Sequence, residues 1–206
     1  MEAGGDNLAM SEAVRDFWDR QAANFDEEPD HGLQDPAVRG AWRTLLLEHL
    51  PPAPADVIDL GCGTGSLSVL LAECGYRVRG IDLSEAMVEV ASTKAETAGV
   101  TVPFQQGDAA DPPYEESSCD IVLVRHVLWA LPDPSGAVAQ WVKLLRPNGR
   151  LLLIEGSWST AAGLTSGECT QLVLEHRSSA TVRALTEPVL WGGPIEDERY
   201  LVVSLC

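Results

Sequence analysis

The stretch Val57-Ile58-Asp59-Leu60-Gly61-Cys62-Gly63-Thr64-Gly65 constrains this chain more than any other, because a short apolar run ends in three spaced glycines and passes directly into a helical pattern from Leu67 to Ala72. Glycine lacks a Cβ, so it turns tightly at the carboxyl end of a strand and lets a ligand approach bare backbone and the amides of the next helix start. Such a turn cradles a nucleotide. Around it the chain needs a strand, a helix and a sheet that holds the strand in place.

The following sequence supplies them in alternation. A strand near Val57–Leu60 precedes a helix to about Cys74, a strand at Tyr76–Ile81, a helix from Glu85 to Thr97, and strands at Val102–Gln105 and Asp120–Val124. Ser84 caps the second helix, with Glu85 at the positive end of its dipole. Asp133-Pro134 starts a helix through Val138, Trp141 and Leu144-Leu145, and Pro147-Asn148-Gly149 turns the chain into Leu151–Ile154, a continuous apolar run suited to burial on both faces. A helix near Cys169–His176, an extended Thr181–Leu185 and a strand at Tyr200–Leu205 close the pattern. Repeated βα units predict an α/β fold with a mostly parallel sheet and helices on both faces.

Before the first strand the reading is helical. Residues 1 to about 10 read as frayed; Val14, Phe17 and Trp18 fall at helical spacing from Ser11 to about Asn24. Asp35-Pro36 is an N-cap and first-turn pair for a helix carrying Val38, Trp42, Leu45, Leu46 and Leu50. The link Phe25–Gly32 is acidic and turn-rich and reads as an exposed loop. Pro51, Pro52 and Pro54 separate this N-terminal helical segment, residues 1–54, from the core of residues 55–206, within a single domain overall.

Charge limits the partners. A formal net charge of -17 sets most of the surface against a phosphate backbone, so a nucleic-acid substrate is disfavoured and a small molecule favoured. Cys62, Cys74, Cys119, Cys169 and Cys206 form no C-x-x-C pair, and His31, His49, His126 and His176 show no ligand spacing, so reduced thiols and no metal are expected. No leader or membrane-length apolar stretch is evident, and the cytoplasm follows by default.

Which nucleotide the turn holds depends on what stands at the other strand ends. The glycines run G-x-G-x-G with Asp59 two positions ahead, whereas dinucleotide dehydrogenases typically use G-x-G-x-x-G. Gly80-Ile81-Asp82-Leu83-Ser84 puts a carboxylate after the second strand, and Gln106-Gly107-Asp108-Ala109 puts another after the third. In this order the residues resemble the class I S-adenosylmethionine-dependent methyltransferases, from Asp59 to about Gly156. The resemblance implies a Rossmann-like, doubly wound, mostly parallel seven-stranded sheet with an antiparallel last strand and an N-terminal helical lid. It implies S-adenosyl-L-methionine as cofactor and S-adenosyl-L-homocysteine as product. By that resemblance Asp59, Gly61, Gly63 and Gly65 form the first motif, and Asp82 accepts from the ribose hydroxyls. Asp108 and the Ala109 region meet adenine, Leu83 and Met87 give apolar contact, and the Arg125 backbone carbonyl receives the cofactor's ammonium. Asn148 stands where the family usually has glycine, a mild departure since Asn tolerates left-handed geometry.

Asp111-Pro112-Pro113-Tyr114 looks like the tetrapeptide of amino-group methyltransferases, yet it precedes the fourth strand instead of following it and reads as a proline-stiffened loop. The place after that strand holds Arg125-His126-Val127-Leu128-Trp129. Methyl transfer is an in-line displacement that asks mainly for alignment and exclusion of water. His126 is either a structural histidine or the general base for an oxygen acceptor. Trp129, Trp158 and Trp191 are either core residues or the walls of an aromatic acceptor pocket, and Phe17, Trp18, Phe25 and His31 are candidates for the closing lid. Small-molecule O- or N-methylation is thus the leading expectation. A cofactor-binding protein without catalysis, serving as a regulatory partner, and a nicotinamide oxidoreductase are the alternatives.

Overall fold

A computed structural model describes residues 3–205, with side chains from Glu12 to Leu205. Its helices are α1 (Ala3–Gln21), α2 (Pro29–Gly32), α3 (Pro36–His49), α4 (Ser66–Glu73), α5 (Glu85–Ala98), α6 (Pro134–Leu144), α7 (Ser166–Leu174) and α8 (Pro188–Trp191). The strands are β1 (Asp56–Leu60), β2 (Arg77–Asp82), β3 (Phe104–Gln106), β4 (Cys119–Arg125), β5 (Leu145–Ser157), β6 (Thr181–Ala184) and β7 (Glu198–Ser204). They form one seven-stranded sheet in the order β3-β2-β1-β4-β5-β7-β6. The first five strands are parallel, and β7 runs antiparallel to both β5 and β6.

Alternation along each strand divides the core into two layers. On one face Val57, Val78, Leu123, Leu152 and Leu201 pack under α3 and α4, through Trp42, Leu45, Leu46 and Leu70. On the other, Ile58, Ile81, Val122, Leu151 and Val202 meet Trp141 of α6 and Val173 of α7. Side chains bury on both faces because helices cover both, which is why these strands read as unbroken apolar runs. Three helix starts follow their cap residues: Asp35 accepts from the Ala37 amide, Ser84 from Met87 and Asp133 from Gly136.

The structure corrects the sequence reading in three places. Helix α1 begins at Ala3 instead of near Ser11, so the segment read as frayed is helical from that residue on. The Pro147-Asn148-Gly149 turn lies inside β5: β4 pairs on both sides of it, with a register shift between Cys119↔Leu145 and Ile121↔Arg150, and Asn148 takes φ +66° in this bulge. The segment 25–32 is no exposed loop. It forms a short 3-10 turn at Phe25–Glu27 followed by α2; Asp26 and Asp30 pair with the partly buried Lys94 and Arg125, while Glu27 and Glu28 stay exposed. Cys62, Cys74, Cys119 and Cys169 are free thiols; Cys206 lies outside the described residues. No helix among the described residues is long and apolar enough to cross a membrane, and no group of His, Cys, Asp and Glu among them could hold a metal ion.

Candidate active site

Parallel strands deliver their carboxyl ends to one edge of the sheet, and ligands bind there because loops at that edge diverge from the core. A cavity of about 360 Å³ opens at the ends of β1, β2 and β4, in the size range of small-molecule sites. Asp59, Gly61 and Gly63 from the first turn line it, with Asp82, Leu83 and Met87 from the second, Asp108 and Ala109 from the third, and Arg125 and His126 from the fourth. Trp18, Phe25 and His31 from the N-terminal segment, and Trp129 and Trp158 from the sheet side, complete the wall.

Three sequence candidates stand elsewhere. Gly65 is the N-cap of α4 at φ +74°, packed under Ala91 and Phe104, so it shapes the turn without facing the cavity. Phe17 points outward, 47% exposed, with only its edge against Trp18. Trp191 is a core residue behind the cavity, edge-on to Trp42. Val14, Cys62, Thr64, Ser66, Leu67, Val127, Ala130 and Leu131 also line the wall, unforeseen from sequence. Val14 carried a signal, since it sits one helical turn before Trp18.

The glycine turn works differently from its sequence reading. The amides of Gly61 and Cys62 both donate to the Ile81 carbonyl, Gly63 to Asp82 Oδ2 at 2.8 Å and Gly65 to the Cys62 carbonyl. Those four amides are occupied inside the protein, so the glycines provide close approach and leave no donors of their own for a ligand. The need for glycine at position 61 is steric: at φ +70°, an added Cβ would lie 2.3 Å from Val127 Cγ2. Asp59 is buried and accepts from Ser68 Oγ at 2.6 Å, and burial pushes its carboxyl up to about 6. Asp82 is held by the amides of Gly63 and Ser84, at 2.8 and 2.9 Å; burial raises its pKa, and those amides oppose the rise. Asp108 accepts from the Ala110 amide, while the Ala109 carbonyl takes the indole N–H of Trp141 at 2.6 Å, which ties this loop to the core.

The segment 25–32 is fastened over the cavity at two points. Asp26 accepts from Lys94 Nζ and Thr64 Oγ1, and Lys94 also donates to Ser66 Oγ at 2.6 Å, so one lysine of α5 joins the segment to the glycine turn. Asp30 takes the Arg125 guanidinium through its carbonyl, at 2.7 Å, and its carboxylate, at 2.5 Å. Behind them α1 is anchored by Asp19, whose carboxylate accepts from Ser84 Oγ at 2.5 Å at the start of α5. None of these cross-links was legible in sequence.

His126 takes a left-handed backbone, φ +56°, and its amide donates to the Ile154 carbonyl. The turn after it is set by Glu155, a residue absent from the sequence candidates. Its Oε1 accepts from the amides of Val127 and Leu128 at 3.0 and 2.8 Å, while Oε2 is buried without a partner. A carboxylate at the end of the apolar run of β5 repeats the strand-end placement of Asp59 and Asp82, and that was the signal available. Burial pushes the Glu155 carboxyl up to about 8, against the pull of the two amides. In the unfolded chain the group titrates near ~4.3, so between those values the folded form binds the extra proton and stability falls as pH rises. Every other group titrates alike in the native protein and in Glu155→Gln, so the difference between the two isolates this carboxyl. Thermal denaturation from pH 6.5 to 8 should therefore show the native Tm falling relative to that of Glu155→Gln; parallel curves would refute this.

His126 itself is held well below the ordinary histidine range, first by burial and then by Arg125, Arg199 and His31. Its ring lies edge-on to Trp158, with centroids 5.2 Å apart, and parallel to Trp191 at 6.2 Å. It is therefore a neutral imidazole near pH 7, able to accept a hydrogen bond and reluctant to take a full charge beside two guanidinium groups. The loop Asp111–Tyr114 is not part of the cavity; Tyr114 lies under the Arg79 guanidinium at 4.8 Å.

This sheet order, with the antiparallel β7 set between β5 and β6, and carboxylates converging on one cavity from successive strand ends, defines a Rossmann-like domain with a candidate ligand site at its strand ends. Comparison with known proteins narrows the class. Residues 58–153 match the family model described as a methyltransferase domain, and the solved structures that the chain resembles include S-adenosylmethionine-dependent methyltransferases. A ubiquinone biosynthesis O-methyltransferase of Xanthomonas axonopodis pv. citri is 35% identical over 138 residues, 66% of this chain and 54% of that protein. The chain spans less than two thirds of the length of each of the first curated relatives it matches. Among solved structures, a geranyl diphosphate C-methyltransferase from Streptomyces coelicolor, in complex with S-adenosyl-L-homocysteine, superposes with a TM-score of 0.68 at 17% identity, covering 81% of this chain and 75% of that one. The cyclase SpnF superposes with a TM-score of 0.65 at 20% identity, covering 71% and 60%. At those identities the likeness is one of fold.

Proposed function

We propose that the protein binds S-adenosyl-L-methionine across the carboxyl ends of β1 to β4 and moves its methyl group to a small-molecule acceptor. The observation that supports this most is that Gly61 and Gly63, Asp82 and Asp108 line a single cavity. In this reading Asp82 accepts from the ribose hydroxyls, and Asp108 with Ala109 meets the adenine edge. Leu83 and Met87 supply apolar contact, and the Arg125 carbonyl receives the ammonium. Asp59 supports the turn through Ser68. The segment up to Pro54 covers the core that follows, with Trp18, Phe25 and His31 closing the acceptor side.

The relative's O-methyl transfer favours oxygen as the acceptor atom. His126 then stands as the group that takes the hydroxyl proton, and Trp129 and Trp158 as walls that exclude water. A nonmethylating role is the second reading, favoured by one observation: the same fold serves a cyclase in SpnF, and fold does not dictate chemistry.

Calorimetric titration of the full chain with S-adenosyl-L-homocysteine and with NAD, followed by a mass-spectrometric screen for methylated products, separates these. Homocysteine-nucleoside binding with a methylated product is the expected result. Tighter binding of NAD would overturn the cofactor reading, and tight binding with no product across a broad panel of phenols, acids and amines would favour the nonmethylating role.

A further inference from the structure

The acceptor end of the cavity offers a ligand no free charge. The charged side chains that line the cavity are Asp59, Asp82, Asp108 and Arg125. The three carboxylates stand at the strand ends assigned to the cofactor. Arg125 is committed elsewhere: its two terminal nitrogens donate to the carbonyl and the carboxylate of Asp30, and the guanidinium lies over the Trp42 ring. The imidazoles of His31 and His126 are both held below the ordinary histidine range, first by burial in each case, so both are neutral near pH 7.

The rest of the wall is apolar and aromatic. Trp129 and Trp158 meet edge to face, with centroids 5.5 Å apart, and so make one continuous wall with no slot between them. Trp18 stands edge-on to Phe25 at 6.1 Å, and Phe25 stacks on the His31 ring at 4.2 Å. Toward solvent this lining continues as a rim, because Val14, 40% exposed, with the exposed Ala130 and the half-buried Leu131, belongs to both the cavity and the molecular surface. Phe17, outward-facing beside Trp18, extends the apolar surface along α1. An apolar patch that runs unbroken into a cavity marks a way in for apolar ligands.

Resting on the methyl-transfer reading for the reaction, we propose that the acceptor is an uncharged, largely apolar hydroxy compound. Its flat ring lies on the Trp129 and Trp158 wall, and the remainder leaves over the rim formed by Val14 and Leu131. Size requires that exit. A cavity of about 360 Å³ lies near the lower end of the ~300–1,000 Å³ range for small-molecule sites, and a nucleoside carrying an amino-acid chain takes up most of it. Charge sets the class. An anion would lose its water here with no free donor to replace it, and the net charge of -17 repels it on approach. A cation is drawn by that field at a distance, yet inside it would sit beside the sulfonium with no carboxylate of its own. A neutral hydroxyl avoids both costs, and the neutral His126 ring can accept its hydrogen.

Three probes sharing one ring system test the idea: β-naphthol, a phenol un-ionised at pH 7, β-naphthoate, an anion, and β-naphthylmethylammonium, a cation. Calorimetric titration of each into the full chain saturated with S-adenosyl-L-homocysteine is expected to give β-naphthol a Kd about tenfold or more below that of either ion. Equal or tighter binding of either ion, or no β-naphthol binding in the millimolar range, would overturn the proposal. Leu131→Asp puts a charge on the rim and should weaken β-naphthol by about tenfold while the Kd for S-adenosyl-L-homocysteine stays within about twofold. Unaltered β-naphthol affinity in the folded variant, or an equal loss for both ligands, overturns the placement of the acceptor. Should Leu131→Asp fail to fold, Val14→Asp, at a more exposed position of the same rim, carries the same expectation. Homocysteine-nucleoside binding is measured first, and the three probes are also titrated without it. Loss of that binding with the β-naphthol preference intact removes the cofactor reading alone; binding without the preference removes this proposal alone.

Discussion

Asp82→Ala should lose nearly all affinity for S-adenosyl-L-homocysteine, with Kd rising by roughly 100-fold or more. A hydrogen bond to a charged group contributes about 1.5–3 kcal/mol, and two ribose hydroxyls would each donate one to this carboxylate. The deletion reaches further than the ligand. Asp82 also holds the Gly63 amide of the first turn and the Ser84 amide at the start of α5, so alanine would leave both without an acceptor. Asp82→Asn, which keeps one acceptor oxygen, should fall between. Calorimetry on variants whose circular dichroism matches the native protein checks this. An unchanged Kd in Asp82→Ala would remove the residue from the site.

The second large effect is expected in the core. Trp42→Ala should cost about 3–5 kcal/mol of stability, the range for truncating a buried aromatic, and lower Tm by roughly 10 °C. Trp42 is fully buried, its indole N–H donates to the Leu190 carbonyl at 2.7 Å, and its ring lies edge-on to Trp191 at 5.4 Å. The Arg125 guanidinium rests 4.4 Å from the ring centre and holds Asp30, so the same truncation should loosen segment 25–32. Chemical denaturation measures the first consequence. Faster proteolysis within residues 26–32 under native conditions measures the second; full stability in the variant would contradict the packing account.

What the sequence disclosed and what it concealed divide along contact range. Asp35, Ser84 and Asp133 announced their helices because a cap acts on amides two or three residues away. The alternating runs announced the sheet because burial on both faces leaves continuous apolar strands. The strand-end residues Asp59, Asp82 and Asp108 were visible because parallel βα units always send that end of the strand to the ligand edge. Segment 25–32 was misread because its partners, Lys94 and Arg125, are 68 and 95 positions away. Composition there, rich in Asp and Glu, points to water, and only the folded chain brings the cations. Arg199 was hidden for the same reason, arriving beside Trp158 and His126 on a strand from the far end of the sequence. Phe17 and Trp18 show the limit of periodicity: both suit an apolar face, yet only Trp18 reaches the cavity.

The position of β7 between β5 and β6 has a consequence for how the molecule is made. Along the chain β6 precedes β7, yet among the described residues the only strand it pairs with is β7. Residues 181–184 therefore have no neighbour in the sheet until residues 198–204 seat against β5. Over that interval β5 also presents an open edge of the kind that invites pairing with another chain. This end of the sheet thus closes only when residues 198–204 seat between β5 and residues 181–184, and losing β7 would uncover both of its neighbours at once.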